Sequence, residues 1–476
     1  MAKIYTPLLI AALSLCIRLI ALFFISPLDF RWESYHYWQI AFYTLNVGIH
    51  HGKMWDLGGM EYFWGPLPIL TQSLLLWIFN TTSLLPFRIL NSILGSITVY
   101  LSYKIGKRFF NRRVGILSAL LLTFNPIMIF NNVVGMEETM GIFFVLLALN
   151  FYHKNDYIMG VFLGLSSLCR IEFWLLSLGI AFLIVLYERD ASSFIISIVG
   201  WLTVMVPYFL HVREVTGSPF YAFYWNFIGN IAGIWTPWYV SPTFRILFGV
   251  ILACSVIGLI ILFRYREKLK KTYILYGVFL GFATYHGLVY VIGGTAPLFD
   301  RFFMLDVAVG SILLSSISQK TPWPRLSTAA LFILTGFLLY SLTPYYTDLQ
   351  SDIVGLYKVT DELGKRYDGG TVLSNMPMMT YRLVNLWGLS HNEILGTLYI
   401  PLNNITQALT WLDYYNASWL IVAEPKSQNM LSVFKQHFPL IWSKLFIKEF
   451  EFSGAAIYRI NQSLTRELIY GGGKYE

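Results

Sequence analysis

Lys104-Ile105-Gly106-Lys107-Arg108-Phe109-Phe110-Asn111-Arg112-Arg113 sets five cations among ten residues, with long apolar stretches on either side. Lysine and arginine accumulate on the cytoplasmic face of a membrane, so this cluster is assigned to the inside. Upstream, a long apolar segment runs from Met1 to about Pro27. It is followed by the acidic, aromatic loop Asp29-Phe30-Arg31-Trp32-Glu33-Ser34-Tyr35-His36. A chain that starts inside and returns inside crosses an even number of times between the two. Of the two apolar stretches after Pro66, Leu67 to Phe79 is short for a crossing, which needs about 20 residues. It is read as an outer-face interfacial helix, and Phe87 to Tyr103 as the returning span.

Working outward from there, Val114 to Asn131 runs out to Gly135-Met136-Glu137-Glu138, and Thr139 to Tyr152 returns to His153-Lys154. Tyr157 to Leu168 and Ile171 to Leu186 meet outside at Cys169-Arg170-Ile171-Glu172. Phe194 to Leu210 leads to a long outer loop, His211 to Thr243, with Trp225, Trp235 and Trp238. Phe244 to Phe263 comes back to a basic run ending at Lys271. Ile274 to Ile292, Phe302 to Ser316 and Leu326 to Leu342 complete eleven expected spans. Basic clusters then lie inside and acidic or aromatic loops outside, with the N-terminus cytoplasmic and the C-terminal part extracytoplasmic.

Composition agrees with this class. Of 476 residues, 56% are hydrophobic and 13% charged, about half the charged share of a soluble domain, as expected of an α-helical polytopic membrane protein. The net charge of +8 reads as positive-inside bias and not as a nucleic-acid surface. Cys16, Cys169 and Cys254 all lie in apolar segments, where packing is their expected use. The first apolar segment has no small-residue cleavage site and reads as a retained span.

The expected division is a membrane domain over 1–343 and a small extracytoplasmic α/β domain over 344–476. In the latter, Asp352 to Arg366 has the pattern of an amphipathic helix. Thr371 to Ser374, Trp419 to Val422 and Ala455 to Tyr458 read as strands. Asn80, Asn404, Asn416 and Asn461 open N-x-Ser/Thr triplets on the outer side, a pattern common by chance.

Ionisable groups at a membrane surface are costly unless solvated or paired, so those that recur at one face need a reason. Asp29 and Glu33 stand four apart, on one face of a helix, among Trp32, Tyr35, His36, Tyr37 and Trp38. Such a helix serves either as an aromatic-belted interfacial anchor or as the wall around a carboxylate base. His50, His51, Asp56 and Glu61 follow before Gly65-Pro66-Leu67-Pro68. Glu137-Glu138, Arg170-Glu172 and Asp300-Arg301 lie at three more outer junctions, with Asp306 one to two turns into the tenth span. Arginines in a partly dry pocket suit phosphate, whose oxygens match the guanidinium fork. Carboxylates beside them suit a base, sugar hydroxyls or a divalent cation. The plainer readings are an ion pair closing a turn for Arg170–Glu172 and a helix–helix hydrogen bond for Asp306. Arg18, mid-span, either snorkels or pairs and is assigned no role.

In this order the motifs resemble the GT-C superfamily of integral-membrane glycosyltransferases, in the branch of protein O-mannosyltransferases and lipid A aminoarabinose transferases. Trp32-Glu33-Ser34-Tyr35-His36-Tyr37-Trp38 stands where that family carries an acidic first-loop motif, usually Asp-Glu. Met136-Glu137-Glu138-Thr139 resembles its second acidic motif. Gly164 to Glu172 resembles a Gly-rich span ending in a basic residue, and Asp300-Arg301-Phe302-Phe303 a late arginine–aromatic motif. The resemblance implies transfer of a sugar from a dolichyl- or undecaprenyl-phosphate donor to a hydroxyl of a protein, lipid or glycan acceptor at the outer leaflet, with inversion. Glu33 or Asp29 would be the base: Glu33 matches the motif better, and Asp29 is the nearest aspartate. Arg301, then Arg170, would hold the donor phosphate. Glu137, Glu138, Glu172, His50 and His51 would position the acceptor or a divalent cation, which some members use. The competing classes are a multi-span transporter or flippase, which predicts inverted repeats and mid-membrane breaks, and a membrane scaffold.

Overall fold

The computed structural model describes residues 2–24, 32–49, 52, 65–224, 242–265, 269, 272–292, 300–374, 376–397, 400–401, 404–423, 435–436 and 438–471. They build two compact units. One gathers Met1–Ser26, Glu61–Pro68 and Phe87–Pro344, and the other Pro27–Met60, Ile69–Pro86 and Tyr345–Glu476.

In the first unit the helices are α1 (Ala2–Phe24), then α4 (Leu85–Phe109), α5 (Arg112–Phe124), α6 (Pro126–Val134) and α7 (Glu138–Phe151), with α2 and α3 described below. They are followed by α8 (Asp156–Ser167), α9 (Glu172–Glu188), α10 (Ala191–Thr216), α11 (Pro242–Arg264), α12 (Tyr273–Ile292) and α13 (Met304–Lys320). Local signals set the boundaries. Asn111, Asn125 and Asn155 accept from the backbone N–H three residues on, at 3.0, 3.1 and 2.9 Å, capping α5, α6 and α8. The turn after α4 is tight because Gly106 and Gly115 meet backbone to backbone: a Cβ on Gly106 would lie 3.0 Å from the Gly115 Cα. Helices α8 and α10 approach in the same way through Gly160 and Gly200, whose added Cβ atoms would collide with the Ser197 and Tyr157 carbonyls. In lipid, where apolar surface gains little by pairing, such small-residue contacts hold helices together.

Val114 to Asn131 is not one straight span: α5 and α6 are bent by 56° at Asn125. Pro126 at the first position of α6 has no N–H to give the preceding turn and pushes Asn125 into extended backbone, φ −70° and ψ 120°. Nor does helix length by itself fix the expected number of eleven crossings. Among the described residues six helices are long and apolar enough to cross, or seven if the bent pair counts as one. Helices α7 and α8 have only 14 and 12 residues, and α4 carries Asn91, Lys104, Lys107 and Arg108 within its 25.

The last long helix, α14 (Pro324–Arg366), is continuous where the sequence suggested a span ending at Leu342 and a separate amphipathic helix. Its C-terminal part belongs to the second unit, with α2 (Trp32–Asn46), most of α3 (Pro66–Ile78), α15 (Pro377–Trp387), α16 (Ile405–Tyr414), α17 (Pro439–Leu445) and α18 (Gln462–Tyr470). Strands β1 (Thr371–Ser374), β2 (Ile394–Gly396), β3 (Ala417–Ala423), β4 (Phe446–Phe452) and β5 (Ala455–Ile460) form one sheet in the order β2-β1-β3-β5-β4. β1 runs parallel to β2 and β3, while β5 is antiparallel to β3 and β4. The three expected strands are β1, β3 and β5. Missed were β2, only three residues long, and the edge strand β4, whose Lys448, Glu449 and Glu451 hide its period and keep the open edge from pairing.

The aromatic helix of the first loop is not an exposed belt. Tyr37, Trp38, Ile40, Ala41 and Tyr43 of α2 are fully buried, and α2 packs on α15. Trp38 meets Tyr381 edge-on at 4.8 Å and donates its indole N–H to the Thr82 carbonyl at 2.7 Å. The Gln39 amide donates to Thr380 Oγ1 at 3.0 Å, and Tyr43 Oη to the Ile394 carbonyl at 2.9 Å. This helix is part of the core of the second unit.

Candidate functional site

Three turns of the first unit bring Glu137, Glu138, Arg170, Glu172 and Arg301 together. After α6 the chain reverses at Gly135, whose φ of +86° is the left-handed cap glycine adopts freely. The Met136 N–H returns to the Asn131 carbonyl at 3.1 Å. Glu137 and Glu138 then open α7, both buried. The α8–α9 turn is held by Ser167: Trp174 donates its indole N–H to the Ser167 carbonyl at 2.9 Å and Trp201 to Ser167 Oγ at 3.0 Å. Gly65 lies against the same turn, where any Cβ would collide with the Leu168 and Cys169 carbonyls, and Leu67 donates its N–H to Leu168 O at 3.1 Å. Thus Gly65-Pro66-Leu67-Pro68 braces the segment that presents Arg170. The third turn is a 3-10 turn over Asp300–Phe303, which buries Arg301.

Arg170 is the hub. Its Nε and Nη2 donate to the two oxygens of Glu172 at 3.0 and 2.7 Å, while Nη1 donates to Glu137 at 2.5 Å and Glu138 at 2.9 Å. Arg301 Nη1 lies 3.6 Å from the same oxygen of Glu138, and both guanidinium carbons sit over the Phe302 ring, at 5.2 and 4.9 Å. Asn131 donates to Asp300 Oδ2 at 2.7 Å. Charges do not balance: Glu137, Glu138 and Glu172 face two arginines in a place with little water. Burial therefore pushes the Glu137 carboxyl well above the usual carboxylate range, against the pull of Arg170. Burial alone would weaken the hold of Arg170 on its proton, but Glu172, Glu138 and Glu137 together outweigh it and raise its pKa. One oxygen each of Glu137 and Glu138 is buried with no hydrogen-bond partner among the described residues. The cluster is an acid-rich, partly dry surface with two fixed cations, suited to hydroxyl groups and an anionic leaving group.

Of the site residues expected from sequence, Glu137, Glu138, Arg170, Glu172 and Arg301 come together here. Glu33 lies in α2 of the second unit and is buried, 3% exposed. Asp29, His50 and His51 lie outside the described residues. Asp306 lies 3.3 Å from His286 Nε2 across α12 and α13. His286 was missed; a histidine inside an apolar span was the available signal. Asn131 and Asn132 were missed too, because asparagines near a helix end read as ordinary capping residues. Among the described residues no three His, Cys, Asp or Glu side chains converge as a cation site.

Comparison with known proteins bears on this arrangement. Residues 65–212 match the family described as dolichyl-phosphate-mannose-protein mannosyltransferase, a stretch that includes Glu137, Glu138, Arg170 and Glu172. No curated protein matches the sequence. Among solved structures, ArnT from Cupriavidus metallidurans bound to undecaprenyl phosphate has a TM-score of 0.62 at 11% identity, over 96% of this chain and 98% of that one. The Archaeoglobus fulgidus oligosaccharyltransferase AglB, in complex with an inhibitory peptide and a dolichol-phosphate, has a TM-score of 0.54 at 12% identity. That match covers 97% of this chain and 75% of AglB. At such identity these structures speak for the fold. Residues 65–212 thus resemble that mannosyltransferase family, the fold is that of the ArnT and AglB structures, and the chain is a multi-pass membrane protein.

Proposed function

We propose that this protein transfers a sugar from a dolichyl- or undecaprenyl-phosphate donor to a hydroxyl acceptor at the extracytoplasmic face. The observation that carries the reading is the buried cluster of Arg170 and Arg301 with Glu137, Glu138 and Glu172, most of it inside the segment matching the mannosyltransferase family. The polyprenyl phosphates named for the ArnT and AglB structures fit the same chemistry.

In the proposed reaction the acceptor oxygen attacks the anomeric carbon from the face opposite the phosphate. The C–O bond to phosphate breaks, and the lipid phosphate leaves with the electron pair. The acceptor proton passes to the first-loop carboxylate, Glu33 by its motif or Asp29 as the nearest aspartate, and the anomeric configuration inverts. Fixed cations aimed at the departing charge accelerate such a step, and the phosphate is a good enough leaving group to need no general acid. Arg301 is the phosphate ligand of choice. Arg170 comes second, because its N–H groups already serve three carboxylates and its first task is to hold Glu137 and Glu138 toward the acceptor. The N-terminus is assigned to the cytoplasm and residues 344–476 to the extracytoplasmic side, so that donor headgroup and acceptor meet outside.

The test uses purified protein in nanodiscs with a panel of radiolabelled polyprenyl-phosphate hexoses and pentoses. Wild type is compared with Glu33→Gln, Asp29→Asn and Arg301→Ala for sugar release or transfer. The reading expects turnover to be lost in one carboxylate variant and in the arginine variant. Transfer unaffected in both carboxylate variants would sink the mechanism.

A further inference from the structure

Arg18 of α1 is completely buried, although α1 is the first apolar segment of a membrane protein. Among the described residues no carboxylate forms an ion pair with it. Its Nε donates to Asn132 Oδ1 at 2.8 Å, and its Nη1 donates to Ser14 Oγ at 2.5 Å and to the Ser14 carbonyl at 3.3 Å. Arginines in apolar spans are expensive and are kept where they serve a site. The contact is also built for: Gly95 of α4 lies over it, and a Cβ there would collide with the Asn132 amide and come within 2.9 Å of Arg18 Nε.

Asn132 passes the constraint on. Its Nδ2 donates to Thr139 Oγ1 at 2.8 Å, so the amide spans the Gly135 turn from the end of α6 to the first turn of α7. Thr139 directly follows Glu138, which accepts from Arg170. The neighbouring Asn131 reaches the other way, to Asp300 beside Arg301. The end of α6 is thus tied to α1 on one side and to both charge-bearing turns on the other. The α6 helix has only nine residues and is bent from α5 by 56°, so its own length does little to fix it.

We propose that Arg18 is a positioning residue for Glu137 and Glu138, acting through Asn132 and Thr139 to fix the turn that presents them. The proposal rests on the glycosyl-transfer reading for its kinetic consequence but not for its structural one. Helix α1 packs on α5 and α6, and its buried Arg18 holds the acidic turn in place.

The experiment reads deuterium uptake of peptides covering residues 131–140, together with turnover of the donor panel, in nanodiscs. It compares wild type, Arg18→Met, Arg18→Lys and Gly95→Ala, the last displacing the contact without touching a charge. Arg18→Met and Gly95→Ala are expected to speed exchange about tenfold at 131–140 and to leave peptides of α10 unchanged. They should lower kcat about tenfold with the donor KM within about twofold, and Arg18→Lys should recover part of both. Wild-type uptake at 131–140 in both variants would overturn the proposal. So would faster exchange spread through all the helices, which marks a merely structural arginine. Should Arg18→Met fail to reconstitute, Gly95→Ala decides. If wild type turns over no donor, the glycosyl-transfer reading falls, and local uptake alone still decides the role of Arg18.

Discussion

Two sets of ion pairs in this molecule look alike on paper and differ in kind. In the second unit Arg459 meets Asp368 at 2.5 Å, one cation to one anion, with side chains 40% and 56% exposed. In the first unit Arg170 meets Glu137 at the same 2.5 Å, with side chains 7% and 0% exposed, and serves Glu138 and Glu172 as well. The exposed pair costs little to form and contributes little. The buried set is costly, holds more carboxyl groups than arginines and leaves carboxyl oxygens without hydrogen-bond partners among the described residues. Imbalance at depth is what separates a site from a surface decoration.

That contrast is broken most directly at its hub. Arg170→Met leaves three carboxylates buried without their main counter-ion and should destabilise the protein by about 3–5 kcal/mol. Thermal unfolding in nanodiscs checks this, and a melting temperature equal to wild type would count against the hub role. Arg301→Lys keeps the charge but loses the planar fork. It should fold normally and lose about 10²–10³ in turnover, the scale for removing a group that stabilises transition-state charge. A third change, Glu137→Gln, replaces a carboxyl that burial already biases toward its neutral form. It should cost less than about 1.5 kcal/mol, the net scale of an ordinary hydrogen bond, far below the arginine variant. An equal loss in the two would show Glu137 to be fully ionised.

The exposed pair gives the smallest effect. Asp368→Asn should cost about 0.2–1 kcal/mol at neutral pH, the range for solvent-screened pairs. The hydrogen bond from Arg459 lowers the Asp368 pKa below its ordinary value. Its contribution is therefore full above the unfolded aspartate value of about 3.9 and is lost as pH falls through the folded value. Denaturant melts of wild type and variant should thus converge in acid. A gap that persists there would assign the effect to packing on Trp419, over which Arg459 sits at 4.2 Å.

How far the sequence could be read differs between the same two regions. In the second unit β1, β3 and β5 were legible because their apolar runs are bounded by turn residues. β4 was not, because an edge strand needs only one buried face and its charges break the period. In the first unit the positions of Glu137, Glu138, Arg170 and Arg301 were legible as charges recurring at one side of apolar segments. That Arg170 would take all three glutamates was not, since Glu137 and Glu138 lie 33 and 32 residues away and only folding sets the distance. Pro126 announced the bend in its span, but the largely apolar run from Val114 to Asn131 outweighed one proline. The aromatics of α2 misled toward a membrane belt. Tyr, Trp and Phe suit both a bilayer interface and a protein core, and only the partners on α15 distinguish the two.

In this account Arg301 takes the lipid phosphate and Arg170 holds the carboxylates. The most direct test is the affinity of the nanodisc-reconstituted protein for undecaprenyl phosphate and dolichyl phosphate, measured for wild type and Arg301→Ala. The account predicts saturable binding of at least one of them by wild type, weakened about tenfold or more in the variant, as for loss of a charge-assisted contact. Equal affinity in the two proteins, or no binding of either lipid by wild type, would contradict it.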